Sequence, residues 1–328
     1  MYSKVKYIKL KTTLLHTSPI TITTQQGKQY SLPLSYELFG PELHTAPIVL
    51  VNHALTGNST VAGEKGWWKD AIGNGKPIDT GRYTVIAFNI PGNGYDGSLI
   101  DTPQDFTTKD IAQLFNLALQ SLGINQLYAI IGGSLGGAIA WEMLYQENNL
   151  AQYFVPIATD WKTTDWLYSQ CLVQDFLLNQ EEKPLQKARI HAMLCYRTPE
   201  SLNQRFDNTT HEEKEVRKSE DWLNFHGQRL NERFTLSAYK MMNHLLSNIK
   251  TVIPNEEAFE KLAKIQANIH LVSVDSDLFF TEKEDQKTYQ GIQKFKKNIN
   301  HHTIQSIHGH DAFLMEYEQL NNILNKIF

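Results

Sequence analysis

Apolar residues along this chain fall into short unbroken runs separated by amphipathic stretches, and that alternation predicts the architecture. Pro47 to Val51, Tyr83 to Phe88, Leu127 to Ile131, Tyr153 to Ile157 and Ile269 to Val274 are nearly all apolar and bounded by turn residues, as strands covered on both faces require. Between them, Asp105 to Leu122 spaces Ile111, Leu114, Phe115, Leu117, Ala118 and Leu122 at helical intervals. Strand and helix in alternation predict a mostly parallel sheet with right-handed crossovers, an α/β fold. Residues 5 to 40 alternate apolar and polar positions around Gln26-Gly27, which predicts an antiparallel pair at the start. From Trp161 to Lys250 the pattern is helical, with no strand. The α/β pattern then returns with a helix from about Glu282, a strand near Thr303 to Ile307, and a last amphipathic helix that buries Phe313, Leu314, Leu320, Ile323, Leu324 and Ile327. The expected organisation is a core domain built from residues 1–160 and 251–328, with a helical lid, residues 161–250, inserted over the edge where active loops project.

Composition narrows the function classes. The 328 residues are 41% hydrophobic and 20% charged, with a net charge of -4, so no basic field grips a nucleic acid backbone. Two cysteines, Cys171 and Cys195, form no close redox or zinc spacing and point to a reducing, cytoplasmic location. Met1 to Leu15 alternates lysine with apolar residues and predicts no secretory signal, and no apolar run approaches the roughly 20 residues that span a bilayer.

The chemistry concentrates at strand ends. Gly132-Gly133-Ser134-Leu135-Gly136 follows an apolar strand and opens a helix, the order of a nucleophile elbow, whose serine is exposed at a helix N-terminus. A serine nucleophile needs a base and a carboxylate that orients the base. Asp275-Ser276-Asp277 ends one later strand and His308-Gly309-His310-Asp311 the next, which gives the serine, acid, histidine order of the α/β-hydrolase fold. Asp277 is preferred over Asp275 because it lies further into its loop, before Leu278-Phe279-Phe280. His310 is preferred over His308 for its longer reach. The alternative, a metal held by His308 and His310, lacks further ligands, so no metal is expected. His301 and His302 read as solvated strand positions. The oxyanion donors expected are the backbone N–H of Leu135 and that of Leu55, in the loop after the strand ending at Val51. His53 in that loop reads as a lock rather than as a second base.

Asn52-His53-Ala54-Leu55-Thr56-Gly57, Gly66-Trp67-Trp68, Gly75-Lys76-Pro77-Ile78-Asp79-Thr80, the elbow, Ser276-Asp277-Leu278-Phe279 and Gly309-His310-Asp311-Ala312-Phe313-Leu314 together resemble the homoserine O-acetyltransferase family. Ala188-Arg189, Tyr196-Arg197 and Arg205-Phe206 resemble its helical insertion. The resemblance implies an α/β-hydrolase fold and a ping-pong transfer of an acetyl group from acetyl-CoA to the homoserine hydroxyl, in methionine biosynthesis, with no bound cofactor. It implies Ser134, His310 and Asp277 as the triad, Arg189 and Tyr196 on the homoserine carboxylate, and Asp311 on its ammonium group. It also implies a homodimer through lid helices, with Trp161, Trp166 and Trp222 as contact residues. Asn89 to Ser98 departs from the family, lacking its Gly-Ser-Thr-Gly-Pro loop, which keeps open an esterase or thioesterase, a serine O-acetyltransferase and a homoserine O-succinyltransferase.

Overall fold

The computed structural model describes residues 15–328. Eight strands form one sheet: β1 His16–Thr23, β2 Gln29–Phe39, β3 Ile48–Asn52, β4 Thr84–Phe88, β5 Leu127–Gly133, β6 Ala151–Ile157, β7 Asn268–Val274 and β8 Ile299–Ile304. Their spatial order is β1-β2-β4-β3-β5-β6-β7-β8. β2 is antiparallel to β1 and β4, and every other neighbour pair is parallel. The opening hairpin lies at His16–Phe39, and the part of its predicted span before residue 15 lies outside the described residues.

Alternation along each strand divides the apolar side chains between two cores. Leu50, Ile86, Ile130, Phe154 and Leu271 face the helices α1 Thr108–Ser121 and α2 Leu135–Gln146, joined by the short α8 Ala258–Leu262. Val49, Val51, Val85, Ile131, Val155 and Val274 face the other way, toward α10 Tyr317–Leu324 and Trp68. Both faces are covered, so the central strands carry little polarity and read as continuous apolar runs. Of the residues expected on one last helix, Phe313 and Leu314 lie instead in a separate 3-10 turn, Gly309–Leu314, and Ile327 just past α10; all are buried with Leu320, Ile323 and Leu324 except Leu314, which is partly so.

Between β6 and β7 the chain leaves the sheet and returns through a narrow neck. The Thr163 N–H donates to the Ile249 carbonyl at 2.8 Å and the Thr251 N–H to the Trp161 carbonyl at 3.0 Å, while Lys162 and Lys250 form an antiparallel bridge. Beyond the neck stand α3 Asp165–Leu178, α4 Pro184–Tyr196, α5 Pro199–Phe206, α6 Lys218–Arg233 and α7 Leu236–Ser247. This segment also contains a strand pair that the sequence reading missed, Thr210–His211 with Val216–Arg217, too short to leave an alternating signature. α4 packs against α3 and α6, and α3 against α7. Gly227 permits the α4–α6 approach, since a Cβ there would lie 2.6 Å from the Gln186 side chain. The insertion reaches down to the sheet at three loops: the Arg233 guanidinium donates to the Thr56 carbonyl, the Thr198 hydroxyl to the Ile307 carbonyl and the Trp166 indole to the Leu278 carbonyl.

The final strand ends earlier than its sequence suggested, at Ile304 instead of Ile307. His301 and His302 are half-buried rather than solvated. His301 Nε2 lies 2.7 Å from the Ser273 hydroxyl and His302 Nε2 3.1 Å from His270 Nδ1, so this strand meets β7 through polar pairs that mimic a surface pattern.

The tightest backbone packing is around the elbow. A Cβ on Gly132 would stand 2.6 Å from the Gly136 carbonyl oxygen, and one on Gly136 would stand 2.6 Å from that of His53. Gly136→Ala is therefore expected to lower stability by more than about 2 kcal/mol, the cost of forcing atoms into a packed core. Gly73→Ala, where the nearest atom is a flexible lysine methylene at 3.3 Å, should change it by less than about 1 kcal/mol. Thermal unfolding of the two variants checks this.

Candidate active site

β5 ends at Gly133 and α2 begins at Leu135, so Ser134 alone makes the turn, with φ 55° and ψ -128°. A non-glycine residue in that region is strained by roughly 1–3 kcal/mol and persists only where its surroundings hold it. Here the Ser134 N–H donates to the Ile157 carbonyl at 2.9 Å, and the Thr159 hydroxyl donates to the Ser134 carbonyl at 2.6 Å. The side chain is thereby presented at the N-terminus of α2, where the dipole favours developing negative charge.

The loop after β7 brings up Asp277. One carboxylate oxygen accepts the N–H groups of Phe279 at 2.7 Å and Phe280 at 3.0 Å; the other lies 2.7 Å from His310 Nδ1. Nδ1–H donates to Asp277, which leaves Nε2 as an acceptor 3.0 Å from the Ser134 hydroxyl. Ser134, Asp277 and His310 are 4%, 3% and 4% exposed. Tyr196, Phe279, Phe280 and Phe313 pack around the imidazole at ring distances of 5.2–5.6 Å, which fixes its plane. The histidine is carried by a 3-10 turn, Gly309–Leu314, reached through a loop from Ile304. The two alternatives are occupied elsewhere: His308 Nδ1 lies 2.8 Å from the Ser201 hydroxyl, and the Asp275 carboxylate accepts the Ser306 N–H at 3.0 Å. Three side chains from three strand ends thus form one hydrogen-bonded relay, able to deprotonate a serine hydroxyl.

β3 and β5 are neighbours, with Asn52 opposite Gly132, so the loops holding Leu55 and Leu135 leave adjacent strand ends. Among the described residues neither N–H donates to a protein acceptor, which leaves both for an oxyanion. His53 locks this loop. Its Nε2 accepts the Ile90 N–H at 3.0 Å, so the proton resides on Nδ1 and is donated to the Ala54 carbonyl at 2.8 Å. Burial pushes its pKa down to about 4, so it stays neutral. The loop that departs from the family is braced as well: the Ser35 hydroxyl donates to Asp96 at 2.7 Å, and the Tyr95 and Thr60 hydroxyls pair at 2.7 Å.

Arg189 and Tyr196 descend from α4. The Arg189 guanidinium lies 5.7 Å from the Tyr196 ring and, among the described residues, has no carboxylate within ion-pair distance. Tyr196 faces His310, and burial holds its phenol protonated, well above the ordinary range. Asp311 is half-buried, its pKa raised by burial against the pull of Arg189, His310 and Arg197. Its nearest cation is Arg197 Nε at 3.5 Å, a residue the sequence reading placed in a motif without a role. Arg197 is only 6% exposed, and its Tyr-Arg position at the end of a helix was the one available signal.

Behind the Phe279–Phe280 wall lies a cavity of about 10 Å³ lined by Thr164, Glu284 and two buried acids, Asp160 and Asp285. Burial pushes the Asp160 pKa up to about 7, although Lys162 and the Trp161 N–H oppose it. A carboxyl whose folded pKa exceeds its unfolded value adds stability that is full below about pH 4 and lost as pH rises through about 7. Asp160→Asn, whose carbonyl can still accept the Trp161 N–H, should therefore flatten the fall in melting temperature between pH 5 and 8. A gain on the order of 1–3 kcal/mol at pH 8 is expected. His53→Ala should leave Ser134 reactive to a fluorophosphonate but slow turnover about 10- to 100-fold, since the oxyanion loop loses its fastening.

Comparison with known proteins agrees with this geometry. A sequence model of the α/β hydrolase fold matches residues 47–183. The homoserine O-acetyltransferase of Haemophilus influenzae is 29% identical over 93% of this chain and 95% of its own length, and further homoserine O-acetyltransferases of archaea and bacteria are 26–28% identical. Among solved structures, esterase E22 superposes with a TM-score of 0.83 at 19% identity, covering 95% of this chain and 98% of its own. The homoserine O-acetyltransferase from Bacillus anthracis gives 0.80 at 18%, covering 96% and 98%. At such identities the structures speak for the fold alone. The chain has the α/β-hydrolase fold, and its sequence is similar to homoserine O-acetyltransferases over most of its length.

Proposed function

We propose that this protein is an acyltransferase that moves an acetyl group from acetyl-CoA to the hydroxyl of L-homoserine through an acetyl-serine intermediate. The observation that carries the reading is a complete Ser134–His310–Asp277 relay, buried beneath a helix that supplies an unpaired guanidinium, Arg189, and flanked on the histidine turn by a carboxylate, Asp311. His310 Nε2 takes the Ser134 proton as the hydroxyl oxygen attacks the thioester carbonyl. The oxyanion rests on the N–H groups of Leu55 and Leu135, and its collapse expels CoA, protonated by His310. The homoserine hydroxyl then gives its proton to His310 and attacks the acetyl-serine; Ser134 leaves and recovers that proton. Burial serves this sequence because water at the same position hydrolyses the intermediate.

The acceptor is a zwitterion, and the site offers opposite charges apart: Arg189 for its carboxylate, with Tyr196 alongside, and Asp311 for its ammonium. A cavity of about 10 Å³ beside Leu55, between lid and core, is lined by Ala192, Cys195, Tyr196, Tyr239, Leu246 and Phe279 among others, with no charged side chain. The site needs no resident cofactor. Two buried free thiols suit a reducing compartment and hence a cytoplasmic enzyme, and among the described residues no helix is long and apolar enough to cross a membrane.

A homodimer through α3 completes the reading. Trp166, Tyr168, Leu172, Val173 and Phe176 are exposed on that one helix, a stripe that a second copy would cover. Trp161 takes no part, being 2% exposed and packed on Phe259, and Trp222 is turned toward arginines.

Thiol release from acetyl-CoA should depend on homoserine, and Ser134→Ala should abolish it. Arg189→Lys should raise the KM for homoserine about tenfold or more with a smaller change in kcat, as expected when a bidentate partner is lost. Acceptor-independent thiol release, with rapid cleavage of simple acetyl esters, would select the esterase reading instead. Leu172→Glu with Phe176→Glu should shift the protein to a monomer on size-exclusion chromatography.

A further inference from the structure

Arginines gather where the insertion meets the site, in excess of any need of the relay. On α6, Trp222, His226 and Arg233 fall on one stripe, at spacings of four and seven residues. Arg197, from the end of α4, stands 5.8 Å from the Trp222 ring, and Arg205, from the last turn of α5, stands 5.7 Å from it. The His226 ring packs on Trp222 at 4.4 Å. Burial, and then the charges of Arg189, Arg197, Arg205 and Arg233, push the His226 pKa down to about 4, so the imidazole stays neutral.

Counter-charge is scarce. Among the described residues Arg197 has Asp311 at 3.5 Å, Arg205 has no carboxylate within ion-pair distance, and Arg233 has only the Thr56 carbonyl at 3.0 Å. Like charges held together without anions cost free energy, and a cluster of this kind, exposed at Arg205 and Arg233, suits an anion. Its position fits a substrate role. Arg233 touches the loop of Leu55, and Arg197 touches the residue after His310, so the cationic wall joins the relay on both sides. With Arg189 and Asp311 given to the acceptor, Arg205 and Arg233 remain.

We propose that Arg205 and Arg233, flanking the Trp222–His226 stripe, bind the phosphates of a nucleotide-bearing thioester donor while its acyl end reaches Ser134. This rests on the acyl-thioester reading above and adds a place for the anionic end of the donor. Guanidiniums suit phosphate because they donate in a planar fork, and Trp222 adds an aromatic face.

The experiment compares two acetyl donors with the same thioester, acetyl-CoA and the phosphate-free S-acetyl-N-acetylcysteamine, in the full-length protein. The ratio of their kcat/KM values should fall about tenfold in Arg205→Ala, the loss of one charge-assisted contact, and should recover in large part in Arg205→Lys. Adenosine 3′,5′-bisphosphate should compete with acetyl-CoA in the parent protein, and about tenfold less well in Arg205→Ala. An unchanged ratio in Arg205→Ala, or inhibition by the bisphosphate that ignores the substitution, overturns the proposal while leaving acyl transfer intact. If neither thioester acylates Ser134 although p-nitrophenyl acetate does, the acyl-thioester reading itself fails. Binding of the bisphosphate, followed by tryptophan fluorescence, then still decides whether Arg205 holds phosphate.

Discussion

One close approach governs this molecule: the crossing of the β5–α2 turn against the end of β3. Gly132 and Gly136 let the turn close on itself and press against the carbonyl of His53, and Ser134 is left with a backbone conformation that its side chain would not choose. The strain is held by bonds from the neighbouring strand end, Ile157 and Thr159. Three consequences share this cause. The serine projects from the sheet, the first N–H of α2 is free beside it, and the Asn52–Gly57 loop is drawn close enough to contribute a second N–H.

Around that turn the structure divides the labour between rigid core and charged cover. Rings of the core, joined by Tyr196 of the cover, fix His310, and two backbone N–H groups fix Asp277, so that the relay needs no reorganisation to act. The cover brings what the core lacks, namely cations. A triad alone would serve an esterase equally well, as the likeness to esterase E22 shows for the fold. In the proposed reading, transfer to an amino acid is favoured by Arg189 and Asp311 beside the relay, and by the burial that keeps water from competing.

Much of this was legible in the chain because the central strands, covered on both faces, wrote unbroken apolar runs, and because the elbow requires glycines at fixed places. Asp277 and His310 were separable from Asp275 and His308 by position in their loops alone, and the structure gives the other two their own partners in Ser201 and Ser306. What stayed hidden was polarity put to structural use. Ile299–Ile304 carries Asn300, His301, His302 and Thr303, whose pairings with β7 and α9 Glu282–Ile292 look like surface in one dimension, and its end was misplaced by three residues. Trp161 read as a contact residue and proved buried, because its neighbour Phe259 lies almost a hundred positions away. Arg197 and Arg233 gave no sign of converging, since α4 and α6 meet only through tertiary packing.

The central claim is that Ser134 carries the acetyl group between donor and acceptor. Mass spectrometry of the protein mixed with acetyl-CoA, quenched over time with and without homoserine, tests it most directly. The account predicts one acetyl group on Ser134 that persists without the acceptor and disappears on its addition as O-acetylhomoserine forms. An acetyl-serine that decays to acetate at the same rate whether or not homoserine is present would contradict it.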